Sequence, residues 1–136
     1  MAKKLILNLI TPEKQLISNL EVDMVILPAL LGETGVLPGH AKMIVQLGMG
    51  SLRYKQGEKE QEFAALGGFV EILNDTVNVF AESAGLADEI DEEAEAQKIK
   101  RAKESLTNKD ADIDFELAEI ELKQAIARMK VKKRHI

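Results

Sequence analysis

The chain of 136 residues contains no cysteine and no tryptophan, and only three prolines and two histidines. Without cysteine there is no disulfide, no thiolate metal site and no cysteine nucleophile, which agrees with a reducing compartment. Aromatic residues make up 4% of the chain, so any core is mainly aliphatic. Long hydrophobic runs are missing as well. The apolar stretch near the start, Leu5-Ile6-Leu7 then Asn8 and Leu9-Ile10, is far too short to span a membrane and carries no cleavage-site pattern. Membrane association is therefore expected only through a partner. The formal net charge of −5 argues against nonspecific nucleic-acid binding. There is no Ser-x-x-Lys, no Gly-x-Ser-x-Gly and no His-Glu-x-x-His. Gly48, Gly50, Gly67 and Gly68 are not followed by Gly-Lys-Ser/Thr and flank strand-like runs, so they form no phosphate loop. Gly67-Gly68 is expected to permit a bulge or close strand packing.

What is present is an apolar content of 46%, enough for one small domain and an appendage. The N-terminal part, to about residue 82, has the two-residue period of strands. Leu5, Leu7 and Leu9 alternate with Ile6, Asn8 and Ile10, and Val22, Met24 and Ile26 alternate with Asp23 and Val25. Segments 43–47, 51–54, 61–66, 69–73 and 77–81 continue the series. Thr11-Pro12-Glu13, Gln56-Gly57-Glu58 and Asn74-Asp75-Thr76 supply turns. Short strands with no long helix between them predict an antiparallel β-sandwich or flattened barrel.

From Asp88 the period becomes helical. Ile90, Ala94, Ile99, Ala102 and Leu106 form one stripe, with Asp88 as the expected N-cap. Thr107-Asn108-Lys109-Asp110 reads as a break, and a second helix is expected from Asp110 or Asp112. Its stripe is Phe115, Ala118 or Glu119, Leu122, Ile126 and Met129, widened by Ile113, Leu117 and Ile120. The fold class is thus α+β: a sandwich domain over 1–87 and a two-helix antiparallel hairpin over 88–136. The hairpin cannot bury both stripes alone and needs the sandwich or another protein to pack on. Residues 88–95 carry six acids and no base, and 128–134 carry five bases and no acid. The two blocks either attract across the hairpin or simply match their helix dipoles. As a metal site the acids lack the glycine-centred loop of a calcium hand, and a solvated helix start is the better reading. As a nucleic-acid patch the bases lack interleaved aromatics. A solvated helix end, or a contact with an acidic protein surface, fits better. His135 falls in this charged tail and is expected to fray.

The run Gly32-Glu33-Thr34-Gly35-Val36-Leu37-Pro38-Gly39-His40 packs three glycines, a proline and a histidine between two apolar strands. Gly-Glu-Thr-Gly reads as a tight connection with Glu33 exposed at its tip. Leu-Pro-Gly-His reads as a second turn that ends a short strand. His40 is a structural turn residue on this reading, not a catalytic one.

The Gly-Glu-x-Gly-φ-φ-Pro-Gly-His pattern resembles the ε subunit of F-type ATP synthase, the δ subunit in mitochondria. Gly67-Gly68-Phe69-Val70-Glu71-Ile72 and Asp88-Glu89-Ile90-Asp91 match the same family in order and spacing, so the resemblance covers essentially the whole chain. It implies a non-catalytic rotor subunit whose ten-stranded flattened barrel clamps the γ subunit and rests on the c-ring. Glu33 would meet the c-ring, and Val36, Leu37, Pro38 and His40 would help hold γ. The hairpin would be a regulatory element. Closed, it packs on the sandwich. Open, it runs along γ toward the α/β subunits of F1, where Arg128, Lys130, Lys132, Lys133 and Arg134 meet an acidic β-subunit segment and block hydrolysis. The resemblance places the protein on the cytoplasmic face of a bacterial cell membrane, or at the equivalent organellar inner membrane, peripheral and held only through the Fo sector, with no nucleic acid, metal or resident cofactor.

Some members of that family bind ATP between the two helices. Of that motif this chain keeps Ile90, Asp91 and Arg128. Ala94 and Gln124 stand where arginines are usual, Glu95 where a small residue is, and Gly85 where an acid is. Losing two guanidiniums removes bidentate phosphate contacts that Ala and Gln cannot replace, so weak ATP binding or none is expected. The residues alone also admit a free-standing sandwich adaptor whose second helix docks in a soluble partner's groove. Stable association with a γ-like stalk protein separates the two. A small hydrolase would need a nucleophile and base that the sequence does not offer.

Overall fold

The computed structural model describes residues 3–107 and 114–135. Eight strands come first: β1 Leu5–Ile10, β2 Gln15–Val22, β3 Met24–Ala29, β4 Gly32–Val36, β5 Met43–Gln46, β6 Met49–Gln56, β7 Lys59–Leu73 and β8 Thr76–Leu86. A one-turn 3₁₀ helix, Ala87–Glu89, leads to α1, Glu92–Thr107, and α2, Phe115–Arg134. The strands hydrogen-bond in the order β2-β1-β8-β7-β6-β3-β4, with β5 on the far half of β7. The fold is the expected sandwich followed by two helices. All pairings are antiparallel except β1 with β8, which is parallel, Leu7 opposite Val77. That departs from the purely antiparallel expectation. It is possible because most of the sandwich separates these strands in sequence, and a parallel pair needs a long connection.

The strand alternation builds the core. Leu5, Leu7 and Leu9 are fully buried and pack with Val25, Leu27, Leu52, Val70, Ile72, Val77 and Val79. Asn8 is also buried, on the other face of β1. Its carboxamide donates to Asn78 Oδ1 at 2.8 Å and accepts from the Asn19 backbone N–H at 2.7 Å. The β1–β2 register slips at this point, between Leu7–Leu20 and Leu9–Ile17. Asn8 thus serves a backbone group that the slipped ladder leaves over, which offsets the cost of burying an amide. The same slip, with Asn19 at φ 48°, breaks the alternation of β2 and explains why its pattern does not read as a strand.

Gly67 and Gly68 have φ of 76° and 111° and kink β7 without shifting its register on β8, Leu66 opposite Ser83 and Gly68 opposite Ala81. Close packing rather than a bulge is therefore the reason for the pair. A Cβ on Gly68 would lie 2.0 Å from the Phe80 carbonyl oxygen. At the kink β7 leaves β6 and takes up β5, through Gly67 N–H to Gly48 O at 3.0 Å and Leu47 N–H to Gly68 O at 2.9 Å. One continuous β7 replaces the two strands expected over 61–66 and 69–73. Eight strands are present among the described residues, against the ten that the family resemblance implied. At the tight β7–β8 turn, Asn74 and Asp75 both take positive φ, 50° and 57°, as a two-residue hairpin requires. Between β2 and β3, Asp23 pairs with Lys4 and accepts from the Gly57 N–H at 2.6 Å, which together hold its carboxyl below the usual range.

The chain enters α1 later than expected. Asp88 lies in the 3₁₀ turn, Ile90 is extended, and Asp91 is the cap: its Oδ1 accepts from Glu93 N–H at 3.0 Å and Ala94 N–H at 3.2 Å. The reason is local. Ala87–Glu89 uses its own i→i+3 bond to Ile90 N–H before the α-helical ladder begins. Asp114 caps α2 by accepting from Leu117 N–H at 3.1 Å. The expected start at Asp110 or Asp112, the break over Asn108–Asp110, and Ile113 lie outside the described residues.

The helices pack on each other through small side chains. Ala102 of α1 and Ala118 and Ala125 of α2 are buried, so the axes approach closely there. Phe115, Leu117 and Ile120, expected in the buried stripe, are about half exposed, since the small-residue contact leaves them on the outer side of α2. At its other end α2 docks on the sandwich. Val131 inserts between Ala64 of β7 and Ala87, with Ile90 packed alongside.

Candidate functional site

Two surfaces carry the residues that the sequence points to. The first is the β3–β4 hairpin and the turn after it. Gly-Glu-Thr-Gly is not a connection but most of strand β4, paired to β3 with Gly35 opposite Ile26 and Glu33 opposite Pro28. The turn is Leu30-Leu31, and Leu31 is 99% exposed. Gly32 takes φ 138°, which lets β4 fold straight back on β3. Glu33 is therefore not at a loop tip. It lies on the strand, where the Arg53 guanidinium donates to both its carboxylate oxygens at 3.0 Å and Arg134 of α2 lies 3.4 Å away. Val36 is fully buried in the core and cannot present its side chain to a partner, because alternation along β4 points it inward. Leu37 is exposed, and Pro38 and His40 are half-buried. Leu37-Pro38-Gly39-His40 is the expected turn, closed by His40 N–H to Leu37 O at 3.2 Å. Exposed Leu30, Leu31, Met43 and Ile44 border a shallow groove beside this hairpin, with Thr34 of β4 in its wall.

The second surface is the basic end of α2. The structure seats it on the sandwich and on the approach to α1. Arg128 donates to Ser83 Oγ at 3.1 Å and lies 3.7 Å from Glu95. Lys132 donates to the Asp88 carbonyl at 3.1 Å, and Arg134 faces Glu33. Lys130 and Lys133 make no ion pair among the described residues. Among the described residues the acidic and basic blocks meet as a charge pair only through Glu95–Arg128, since Lys132 reaches Asp88 at its backbone carbonyl. The other acids of the first turn, Glu92 and Glu93, face the helix dipole instead. Both readings of the charge pattern hold, at different residues.

His135 does not fray. It closes α2 with its N–H to Val131 O at 3.0 Å, and its ring bridges two carboxylates: Nδ1 is 2.7 Å from Glu62 and Nε2 is 2.5 Å from Asp88. These two partners raise its pKa above the ordinary 6.5. Glu62 and Arg53 are contacts that sequence reasoning passed over. Their signal is a charge inside a strand of otherwise apolar alternation, Glu62 before Phe63-Ala64-Ala65-Leu66 and Arg53 after Leu52. His135 carried no signal at all, since its partners are 73 and 47 residues away in sequence.

The three positions kept from the ATP motif are not gathered round one pocket. Ile90 packs by Val131, Asp91 caps α1, and only Arg128 faces the cleft of about 400 Å³ between the helices. That cleft is also lined by Lys98, Arg101, Glu121 and Gln124. Glu95, 6% exposed, sits between Lys98, which donates to it at 3.4 Å, and Arg128, whose guanidinium lies 3.7 Å away without a hydrogen bond. No helix of the described residues is long and apolar enough to cross a membrane.

The model of the ATP synthase delta/epsilon chain β-sandwich domain matches residues 4–87, and that of the delta/epsilon chain long α-helix domain matches residues 88–133. The ATP synthase epsilon chain of Desulforamulus reducens is 42% identical over 130 residues, 96% of this chain and 98% of that one. That of Elusimicrobium minutum is 48% identical over 109 residues, 80% and 81% of the two chains. Among solved structures, a chain of the Euglena gracilis mitochondrial ATP synthase assembly of OSCP, F1 and c-ring superposes with a TM-score of 0.77. It is 25% identical, over 91% of this chain and 78% of that one.

Proposed function

The chain belongs to the ATP synthase delta/epsilon chain family, as a non-catalytic accessory subunit, and from that premise we propose that it is a rotor component with a releasable brake. The sandwich, 1–87, clamps a γ-type stalk subunit and rests on the c-ring, coupling ion-driven rotation to ATP synthesis. The hairpin, 88–136, is the brake: opened, its basic end reaches an acidic segment of the catalytic β subunits and blocks hydrolysis. On this reading the protein sits peripherally at the membrane through Fo, on the cytoplasmic face in a bacterium.

One observation carries the reading. The main core lies entirely within the sandwich, between Leu5 and Ala81, while α2 docks through a separate small cluster around Val131 and a few polar contacts. A contact of that size can open without unfolding the sandwich, which a two-state regulator needs. In the closed arrangement Arg128, Lys132 and Arg134 are occupied by Ser83, Glu95, the Asp88 carbonyl and Glu33, so opening frees the charges that the brake uses. Leu30 and Leu31, with Leu37, give the c-ring and γ an apolar contact. Glu33, carried by β4, supplies an acid beside them.

The test is reconstitution of F1 stripped of its own subunit of this kind, with the chain bearing Arg128→Glu, Lys130→Glu and Lys132→Glu. Binding to γ should be kept and inhibition of ATP hydrolysis weakened. The reversal also loosens the closed state, so a brake that worked by opening alone would strengthen. Unchanged or stronger inhibition would therefore reject an electrostatic brake.

A further inference from the structure

The contacts of His135 are not explained by the function proposed above. Its two ring nitrogens each lie within hydrogen-bond distance of a carboxylate oxygen, Nδ1 of Glu62 and Nε2 of Asp88. A neutral imidazole has one N–H, so it can donate to only one of them and turns a lone pair toward the other. The arrangement is satisfied when a further proton is held there, and imidazolium between two carboxylates is the form that suits it. The three residues come from three parts of the fold. Glu62 is on β7, Asp88 is in the 3₁₀ turn between sandwich and hairpin, and His135 closes α2.

We infer that Glu62, His135 and Asp88 form a proton-operated latch that holds the end of α2 on the sandwich when protonated and lets go when the proton leaves.

The surrounding charges favour the latch. Glu62 is nearly buried, and Ser51 Oγ donates to its second oxygen, so its carboxylate is fixed in place facing the ring. From β6, Arg53 is directed to Glu33 and Glu60. From α2, Arg134 faces Glu33, and Lys132 donates to the backbone carbonyl of Asp88, not to its carboxylate. Glu60 lines the same recess from β7. The cations nearby thus have other partners, and the two carboxylates are left to the imidazole. No group of side chains among the described residues is arranged to hold a metal ion.

The direction follows from linkage. A histidine whose pKa is higher in the closed state than in the open one stabilises closure fully below the open-state value, near the ordinary 6.5. It loses that contribution as pH rises through the closed-state value. For each unit between the two values the closed-to-open ratio falls about tenfold across the titration. The latch stands whether or not the open hairpin brakes hydrolysis; only its effect on the rate rests on that reading.

The test uses the full chain alone. It has no cysteine, so Glu58→Cys on the sandwich and Glu119→Cys on α2, both exposed, accept a spectroscopic pair for distance measurement. The closed population should be highest near pH 6 and fall toward pH 9. With His135→Gln the same pair should show a smaller closed population at pH 6 and a flat profile. A second measurement needs no substitution beyond assignment: NMR titration of His135, told apart from His40, should give a pKa above 6.5 that Glu62→Gln lowers. A flat profile in the parent chain, an equal slope in the His135→Gln chain, or a His135 pKa at or below 6.5 would each overturn the latch.

Discussion

Val131→Ala is the substitution that separates docking of the hairpin from stability of the sandwich. Val131 is 3% exposed and packs between Ala64 and Ala87, with Ile90 alongside. Removing its two methyl groups forfeits about 1.6 kcal/mol at ~0.8 kcal/mol per buried carbon, before any cavity term. The helix itself does not weaken, because alanine is the better helix former by a few tenths of a kcal/mol or more. The loss therefore falls on the closed arrangement, and the closed-to-open ratio should drop about fifteenfold, since 1.4 kcal/mol is a factor of ten. Native-state hydrogen exchange reads this directly. Amides of α1 and α2 should lose protection while those of β1, β7 and β8, whose core excludes Val131, keep theirs. In the assembled enzyme the same change should strengthen inhibition of hydrolysis. If the strands lose protection together with the helices, the two parts unfold as one unit, and the argument for a separable hairpin fails.

Two other substitutions test the fold and the nucleotide reading. Gly68→Ala places a methyl 2.0 Å from the Phe80 carbonyl at φ 111°, so the sandwich should lose about 3 kcal/mol or more; a melting temperature within a degree or two of the parent would refute the close-approach argument. ATP titrated calorimetrically into the full chain should show weak binding or none, because the buried Glu95 carboxylate lies between Arg128 and Lys98 where phosphates would sit and because Ala94 and Gln124 offer no guanidinium. Submillimolar affinity would contradict this, and Ala94→Arg combined with Glu95→Ala should raise affinity if the account is right.

The fold was legible where burial enforces period. Leu5-Leu7-Leu9 and Val77-Val79-Ala81 alternate because one face is in the core, and the helical stripe begins where the acids cluster. It was not legible where the backbone departs from its ladder. The slip of β2 around Asn8 and the pairing of Gly32–Val36 as a strand depend on hydrogen bonds to other strands, and the late cap at Asp91 follows from the 3₁₀ turn just before it, which no period in the sequence announces. Glycine density misled the reading of β4, since Gly32 serves the turn before the strand and Gly35 lies within it. The basic end of α2 was visible as charge, but its partners were not. Ser83, Glu33, Glu62 and the Asp88 carbonyl belong to four separate places in the chain. Contacts of this kind are a property of docking, which local sequence does not encode.

The central claim is that one part of the chain binds the rotor and the other brakes it. The most direct measurement adds either the full chain or residues 1–87 to F1 lacking this subunit and follows ATP hydrolysis alongside binding to γ. Residues 1–87 retain every member of the main core, so the truncated protein should fold and bind. The account predicts that both bind and that only the full chain inhibits. Equal inhibition by both would contradict the brake, and failure of both to bind would contradict the rotor role itself.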